Sequence, residues 1–536
     1  MAHSIHDCLI KVEKRAERAG DSKLTETFVD AAPLLSSVQT KDHQIIFGRR
    51  GTGKTHILKY VKDLVQHHGN IGIYLDLRAI GSNGSIYSDQ NKTHAQRATP
   101  LLLDVLGAMH EALLTISIDL AEELDLSKLG PKLDSLADAI SAVAVVGTVE
   151  VLRENSTTSA DKNGAEIGLS GRSLNLKASV TAEQSETLKN YEKRSGAENY
   201  YVQFGAVQSA LRELISVLGE KHVWLFLDEW SEVPLDLQPY LADLLRRCVL
   251  PLPGITVKIA AIEHRSNLII RRTGEYMGIE LGADAGGDVN LDDFMVFDND
   301  AQRAMNFFAA LLYKHYRATD DLPLQEGPQS PSELISHLFT QITAFEEFVR
   351  AVEGVPRDAV YLASAVAQRA YGRLVSVQDV RNAARDWYQR DKATILKPHP
   401  ELGDLLHWII EEVIAHRRAR AFLLAANQRY PLIDTLFDSR LLHVRKRNIS
   451  SHDNPGRRYD VYKLDYGCYV DLIATSRAPV GLFEVELENG AGYVDVPSDD
   501  YRSIRRAILE ITTFESRKEQ GSAVRQSNGA SGRESA

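Results

Sequence analysis

A glycine-rich segment with one lysine and one threonine, residues 48–55 (GRRGTGKT), has the spacing of a phosphate-binding loop. An apolar run, 45–47, precedes it and an amphipathic run from His56 to Val65 follows it, so the loop joins a predicted strand to a predicted helix. Glycines in the loop let backbone N–H groups turn toward a phosphate chain, and the helix N-terminus adds a positive field. The segment therefore predicts nucleotide binding.

The loop residues have separate predicted roles. We predict that Lys54 contacts the β- and γ-phosphates of ATP as a catalytic residue and that the Thr55 hydroxyl ligates Mg²⁺. The alternative is a glycine-rich turn without a chemical role, and the regular patterns on either side argue against it. The predicted nucleotide-binding residues are Gly48, Arg49, Arg50, Gly51, Thr52, Gly53, Lys54, Thr55 and His56.

A second candidate site lies where the apolar run 223–227 ends in Asp228 and Glu229. A buried strand with two carboxylates at its carboxyl end is the Walker B pattern, in which Asp228 holds the Mg²⁺ shell and Glu229 polarises the attacking water. Taken alone, such a run more often marks a strand end that meets solvent, but the phosphate-binding loop upstream favours Walker B. The long separation of the two motifs predicts an insertion near residues 125–200, either an exposed hairpin or a disordered segment.

A further predicted strand, 255–262, follows with polar residues at its tip. Walker A, Walker B and then this strand resemble the order of the AAA+ ATPases. The likeness is to the origin-recognition/Cdc branch and extends over roughly residues 30–390. The residues that carry it are Gly48 to Thr55, Leu227 to Trp230 and Gly354 to Arg357. The resemblance implies an α/β fold with a parallel sheet and flanking helices, a helical lid and a C-terminal winged-helix-like α+β domain.

The resemblance also implies further site residues. Arg357 would be the catalytic sensor 2 arginine that folds onto the γ-phosphate, and Glu263 or His264 would occupy the sensor 1 position. A carboxylate at this position departs from the family pattern, because it would repel the γ-phosphate unless a cation or a proton intervenes. A neighbouring subunit would supply an arginine finger, and Arg246 or Arg247 is the best positional match. Arginines at a helix C-terminus also interact with the helix dipole, so this role has an ordinary alternative.

Five regions are predicted along the chain. Prolines and a glycine between residues 319 and 333 mark the boundary before the lid. The regions are an N-terminal helix and lead-in (1–41), the AAA+ core (42–318), the lid (319–395), the winged-helix-like domain (396–495), and a C-terminal helix with a disordered tail (496–536).

The winged-helix prediction depends on the segment 402–475. It predicts helices at 405–415, 419–427 and 431–440, then strands at 441–444 and 459–473. The segment 416–458 contains ten lysines and arginines and only three acidic residues. This local positive charge is suited to binding DNA phosphates. A solvated surface is the simpler interpretation of such a run. The predicted DNA-binding residues are Arg445, Lys446, Arg447, Arg457 and Arg458.

Composition restricts the class of protein. The 536 residues exceed a single core, and the net charge of −11 excludes a uniformly basic coat. The three scattered cysteines and the polar N-terminus predict a cytoplasmic protein without a membrane partner. We expect an ATP- and Mg²⁺-dependent ATPase that binds double-stranded DNA and forms a homo-oligomer or binds a partner protein. A STAND-like signalling or defence switch that does not bind DNA is the alternative, and ATPases that regulate transposition are a third relation.

Overall fold

The structure is a computed structural model of the chain. It describes residues 2–14, 20–31, 33–81, 87, 89, 91–141, 150–151, 194–195, 202–272, 274–293, 300–319, 327–416, 421–426, 428, 430–450, 456–470, 485–487, 490–492 and 508–516. Residues 167–180 of the predicted insertion, expected as a hairpin or a disordered segment, and the predicted disordered tail from residue 517 lie outside these ranges.

Fourteen strands are assigned within the described residues. They are β1 (Gln44–Phe47), β2 (Ile71–Asp76), β3 (Glu150–Val151), β4 (Arg194–Ser195), β5 (Val223–Asp228), β6 (Ile255–Ala261), β7 (Ile269–Arg272), β8 (Glu275–Gly278), β9 (Gly286–Asn290), β10 (Ala421–Ala425), β11 (Leu442–Ser450), β12 (Arg458–Leu464), β13 (Val485–Leu487) and β14 (Gly490–Gly492).

The α-helices before residue 508 of the described chain accompany them. They are α1 (Ala2–Lys11), α2 (Asp21–Thr27), α3 (Leu34–Val38), α4 (Lys54–His67), α5 (Leu77–Gly81), α6 (His94–Asp119), α7 (Leu126–Ser141), α8 (Phe204–Ser216), α9 (Gln238–Cys248), α10 (Ala301–Arg317), α11 (Pro331–Leu338), α12 (Ile342–Ala351), α13 (Pro356–Arg369), α14 (Val377–Arg390), α15 (Pro400–Ile410) and α16 (Pro431–Asp438).

The main sheet has five parallel strands in the order β2-β5-β6-β1-β9. Its side chains alternate between two apolar cores on opposite faces, because successive residues of a strand point to opposite sides. Ile46 and Phe226 pack in one core, and Ile45 and Leu227 pack in the other. This explains why strands β1, β5 and β6 are largely apolar runs, as in parallel sheets covered by helices on both faces. The predicted α/β core with a parallel sheet is confirmed.

Two long helices follow the segment after β2. The long helix α6 begins at His94, where Thr93 forms a capping box with Gln96, and Pro100 lies inside the helix. Helix α7 forms at the start of the segment predicted as an insertion and buries Leu129, Leu133 and Leu136. The helix period of these three leucines outweighs the small and polar residues around them.

Helices α11–α14 lie in the segment predicted as the lid and pack around a shared apolar core. After them, α15, β10, α16, β11 and β12 form a unit that we call the C-terminal domain. Its three strands make an antiparallel sheet in the order β10-β12-β11. The predicted helix 419–427 is wrong, because residues 421–425 form strand β10, whose side chains are buried on both faces. A continuous apolar run fits a buried strand and a buried helix equally well by periodicity, and tertiary pairing decided between them.

One described helical stretch, Gln96–Asp119, has a mean hydropathy of 1.6 and is long and apolar enough to cross a membrane. Length and composition are the only grounds for that assignment. Leu101, Val105 and Met109 from this stretch are buried in the core between α6, α7 and the sheet. Core packing therefore accounts for their apolar character.

Candidate functional site

The phosphate-binding loop connects β1 to α4, as its sequence predicts. Gly51 and Gly53 have φ angles of 92° and 98°, a region that only glycine enters without strain. Gly48 is required for a different reason, because a Cβ there would lie 2.5 Å from Oγ1 of Thr52 and 3.1 Å from Cβ of Leu291. The three glycines thus allow the tight loop that positions the start of α4.

Lys54 is buried at the first turn of α4 and its ammonium group contacts the loop itself. Nζ donates to the backbone oxygens of Gly48 at 2.8 Å and Arg49 at 3.0 Å. Burial lowers the pKa of Lys54, while the nearby carboxylates of Glu229 and Asp228 act in the opposite direction. A phosphate group entering the loop would offer this ammonium a stronger, charged acceptor than two carbonyl oxygens.

Asp228 ends β5 and is completely buried. Its Oδ2 accepts a hydrogen bond from the Tyr74 hydroxyl at 2.7 Å, and its Oδ1 accepts from the backbone N–H of Glu229 at 2.8 Å. Burial, with the charge of Asp228, raises the pKa of Tyr74 far above its usual range, so the phenol remains a donor. These two bonds fix the carboxylate at the edge of the sheet next to the loop. Thr55 and Asp228 present the hard oxygen ligands that suit Mg²⁺.

Glu229 has an unusual backbone conformation, with φ 56° and ψ 40°. This left-handed region costs energy for a residue with a side chain, and such strain is concentrated at functional sites. Burial, followed by the charge of Asp228, raises the pKa of Glu229 above that of an ordinary glutamate. Nη1 of Arg78 lies 3.8 Å from Oε1 of Glu229, and the same arginine pairs with Asp76 at 2.6 Å. Glu229 is thus a partly desolvated carboxylate with a cation beside it.

A cavity of about 630 Å³ lies beside the loop and Glu229. Lys54, Thr55, Glu229, Arg78 and Arg357 all line it. The remaining wall comes from the N-terminal lead-in, the end of α10 and the start of α13, including Lys11, Lys14, Lys23, Leu24, His315 and Val360. The cavity therefore lies between the sheet edge, the N-terminal helices and the start of α13.

Arg357 reaches this cavity from the N-terminal turn of α13. Its backbone N–H donates to the Gly51 oxygen at 3.1 Å, so the start of α13 contacts the phosphate-binding loop directly. A Cβ on Gly51 would lie 2.8 Å from Cβ of Arg357, which adds a second reason for glycine at this position. Pro356 begins α13 at a helix position where its missing N–H is not needed.

The two candidates for sensor 1 contact the C-terminal domain and do not line the described cavity. Glu263 pairs with Arg447 at 2.8 Å and accepts a long hydrogen bond from Asn290 at 3.4 Å. His264 lies 3.6 Å from a carboxylate oxygen of Asp434 in α16. Both candidates follow β6, next to the strand that carries the phosphate-binding loop. The sensor 1 assignment remains a prediction.

The candidates for the arginine finger lie at the end of α9. Nη2 of Arg246 and Nε of Arg247 pair with the two oxygens of Asp243 at 2.7 and 2.6 Å. Arg246 also lies over the Tyr276 ring, 4.8 Å from its centroid. Neither arginine lines the described cavity of its own chain. The side chain of Arg247 is 51% exposed.

The predicted DNA-binding residues lie on one hairpin of the C-terminal domain, with residues 445–447 in β11 and residues 457–458 at the start of β12. Lys446, Arg457 and Arg458 are exposed. Arg447 is only 23% exposed and its guanidinium pairs with Glu263 of the core, so one member of the predicted set contacts the protein itself.

The sequence reasoning missed Tyr74 and Arg78 at the nucleotide site. Tyr74 lies in β2, which pairs in parallel with β5, and Asp76 stands opposite Asp228 in the register. The carboxyl ends of adjacent parallel strands meet at one edge, so polar residues at the end of β2 were the available signal. Arg49 is in the predicted nucleotide-binding set, but its side chain is buried against the C-terminal domain and does not line the described cavity.

A family model described as ORC-CDC6-like matches residues 12–267. Among curated proteins, no sequence matches this chain. Three solved structures are similar at low identity. The crystal structure of Cdc6p from Pyrobaculum aerophilum is 10% identical, with 85% of this chain and 98% of that chain covered at a TM-score of 0.30.

The Orc1 protein of Aeropyrum pernix, solved in complex with DNA, is 12% identical, with 83% of this chain and 88% of that chain covered and a TM-score of 0.29. The Thermotoga maritima RuvB Holliday junction branch migration motor is 10% identical, with coverage of 87% and 98% and a TM-score of 0.30. Because these TM-scores are low, the assignment depends on the family model, together with the parallel sheet and the motifs. Over residues 12–267 the chain is similar to the ORC-CDC6-like family, and its parallel sheet and motifs are those of an AAA+ P-loop core.

Proposed function

We propose that the chain binds and hydrolyses ATP with Mg²⁺. The observation that carries this proposal is the convergence of Lys54, Glu229 and Arg357 on one cavity, although they lie far apart in the sequence. A cation at the loop, a carboxylate at the sheet edge and a cation on the lid are the three groups that phosphoryl transfer to water requires.

Each residue has a defined task in this proposal. Lys54 exchanges its two carbonyl acceptors for phosphate oxygens and stabilises the charge that develops on them. Glu229 accepts a hydrogen bond from the attacking water, and its raised pKa makes it a stronger base than an exposed glutamate. Arg357 binds the γ-phosphate from the lid side. Mg²⁺, held by Thr55 and through water by Asp228, would supply charge neutralisation on the β- and γ-phosphates.

We propose further that subunits assemble so that Arg246 or Arg247 of one subunit reaches the ATP of the next. The exposure of Arg247 supports this proposal, because an arginine that acts in a neighbouring site must be accessible. ATP binding would then favour the assembled state and hydrolysis would weaken it, which makes the oligomer a switch.

Double-stranded DNA is the proposed macromolecular partner. Lys446, Arg457 and Arg458 form an exposed basic surface on the hairpin of the C-terminal domain, within a chain of net charge −11. Such a local excess of positive charge is suited to contacts with phosphates, which position a protein on a duplex. Arg445 extends this surface along β11.

The alternative function is a STAND-like signalling or defence ATPase that recruits a protein partner without binding DNA. The pairing of Arg447 with Glu263 favours this alternative, because it commits part of the basic hairpin to the core domain. If ATP binding changed the Arg447–Glu263 contact, the hairpin surface that it exposes would suit a protein partner as well as DNA.

The deciding experiment measures ATP hydrolysis with and without double-stranded DNA, with Glu229→Gln as the matched control that keeps size and polarity. We expect hydrolysis by the native chain, stimulation by DNA, and a loss of kcat of about 100-fold or more in Glu229→Gln with ATP binding retained. Retention of DNA by the trapped variant would support the DNA-dependent function. ATP-dependent oligomers without DNA binding at low salt would favour the signalling switch, and no ATP binding would reject both.

A further inference from the structure

Arg49 belongs to the phosphate-binding loop, yet its side chain contacts the C-terminal domain. Its guanidinium is 4% exposed, and Nε donates to Asp292 at 2.6 Å. Nη1 donates to the backbone oxygen of Leu442 in β11 at 2.9 Å, and the guanidinium carbon lies 4.4 Å from the ring centroid of Phe437 in α16. One loop residue therefore joins the ATPase core to the C-terminal domain through buried contacts.

His443 extends this contact. Its Nδ1 lies 3.2 Å from Nη1 of Arg49, and since a guanidinium only donates hydrogen bonds, Nδ1 is the acceptor. The ring proton then resides on Nε2, which donates to Oδ2 of Asp465 at 3.0 Å. Burial, reinforced by the charge of Arg49, lowers the pKa of His443 to about 3, which keeps the ring neutral in this role. The contact thus selects one tautomer of His443.

The same domain also contacts the lid beside the cavity. Lys392, before α15, pairs with Asp465 at 2.5 Å and with Asp358 in the first turn of α13 at 2.9 Å. Lys463 of β12 pairs with Glu353 at 2.9 Å, and both side chains are nearly inaccessible. Glu353 has a φ of 49° in the turn that precedes α13. Buried ion pairs of this kind are strongly coupled to the position of both partners, because separating them leaves an uncompensated buried charge.

The backbone of Arg49 connects this interface to the nucleotide site. Its carbonyl oxygen accepts hydrogen bonds from Nζ of Lys54 at 3.0 Å and from Oγ1 of Thr52 at 2.9 Å. A nucleotide must draw Lys54 away from this oxygen toward the phosphates. A phosphate therefore competes with the Arg49 carbonyl oxygen for the Lys54 ammonium. A displacement of Arg49 moves this oxygen and changes that competition.

We propose that Arg49 is a positioning residue that couples phosphate binding at Lys54 to the docking of the C-terminal domain. This inference rests on the proposed ATP function and names how the same site is regulated. Coupling is reciprocal. If docking of the C-terminal domain raises the affinity for nucleotide by some factor, nucleotide raises the docking equilibrium constant by the same factor. A partner that pulls the C-terminal domain away would lower nucleotide affinity.

The test is a double-mutant cycle on the full chain with Arg49→Ala, His443→Ala and both changes. The measurement is the Kd of a fluorescent ATP analogue. We expect each single variant to weaken binding by about 5-fold or more, the lower range of allosteric couplings. The Kd of the double variant is expected to be no higher than that of the more affected single variant, because both changes remove the same contact. His443 does not line the described cavity, so its effect on the Kd is indirect, and the double variant tests whether that effect passes through Arg49 or through Asp465.

Arg97→Ala is the matched control. This arginine is 6% exposed and pairs with Asp236 at 2.5 Å in the core, at a position that does not line the described cavity. We expect a comparable loss of thermal stability and a native Kd. If Arg49→Ala does not fold, Arg49→Lys keeps the charge while removing the planar fork and is expected to weaken binding by the same mechanism.

Hydrogen exchange of the β11 amides gives a second readout. We expect nucleotide to slow their exchange in the native chain and to have no effect on it in Arg49→Ala. Additive effects in the cycle, or a native Kd in His443→Ala, would overturn the coupling while leaving ATP binding intact. A native chain that does not bind nucleotide would instead overturn the proposed function.

Discussion

The nucleotide cavity and the basic hairpin of the C-terminal domain differ in how their charged residues are used. In the cavity, Lys54 and Glu229 occupy the positions that their motifs predict and line one shared cavity. On the hairpin, Lys446 and Arg458 are exposed while Arg447 is paired with Glu263 of the core. A motif that fixes the local backbone predicts where its side chains point, whereas a count of basic residues does not show which of them the protein itself neutralises.

The same difference separates two adjacent residues of the phosphate-binding loop. Arg49 is buried and contacts Asp292 and the C-terminal domain, whereas Arg50 is 52% exposed and pairs with Glu232 at the cavity wall. Exposed pairs of the second kind contribute about 0 to 1 kcal/mol, so Arg50 contributes little to stability. The burial of Arg49 decides that it acts between domains.

The largest effect is expected from Lys54→Ala. Removing the buried ammonium should weaken ATP binding by about 2 to 5 kcal/mol, the usual consequence of truncating one partner of a buried charged hydrogen bond. Isothermal titration with ATP and Mg²⁺ measures this change. Lys62→Ala, on the same helix and away from the cavity lining, is the control and should bind normally. Equal affinity in the two variants would remove the nucleotide site from the loop.

An intermediate effect is expected from pH at the domain interface. The unfolded chain protonates His443 near its ordinary pKa of 6.5, whereas the folded chain protonates it only near about 3. Stability should therefore fall as the pH drops below about 6.5, by about 1.4 kcal/mol per pH unit from this group. Unfolding measured at about pH 7 and about pH 5 tests this.

His443→Gln is the comparison for the pH experiment, because it keeps a donor for Asp465 without a titrating ring. Its stability should depend less steeply on pH than that of the native chain. His315, whose burial lowers its pKa to about 4, is present in both proteins and its contribution cancels in the difference. If stability depended on pH equally steeply in the two proteins, His443 would take up a proton as readily in the folded chain as in the unfolded one.

The smallest effect per residue is expected on DNA affinity, from changes to the basic hairpin. Replacing Arg457 and Arg458 by Ala should reduce the slope of log affinity for DNA against log salt by about 2, because each lost phosphate contact contributes about 0.9. Arg447→Ala should leave this slope unchanged, because its guanidinium is paired with Glu263. Fluorescence anisotropy with a labelled duplex measures both. A slope that falls as much in Arg447→Ala would place the Arg447 contact on DNA instead.

Three strands of the core were predictable because each is a local apolar run between turns. Strands β1, β5 and β6 lie within a residue or two of their predicted bounds. The C-terminal domain was less predictable, since residues 421–425 have no helix-breaking residue and became a strand through pairing with β12. Contacts that join distant segments, such as Arg49 with Leu442, leave no periodic signal in the sequence.

The sequence by itself determined the chemistry of the phosphate-binding loop, because three glycines, a lysine and a threonine at fixed spacing restrict the backbone and supply the donors within eight residues. It also determined the carboxylates at the end of β5. Only the tertiary structure decided that Arg357 reaches the loop, that Glu263 faces Arg447, and that Arg49 faces away from the cavity. These outcomes depend on which domain surfaces are in contact. A buried charge is costly unless it is paired, and its partner can lie anywhere in the sequence, so local spacing does not specify it.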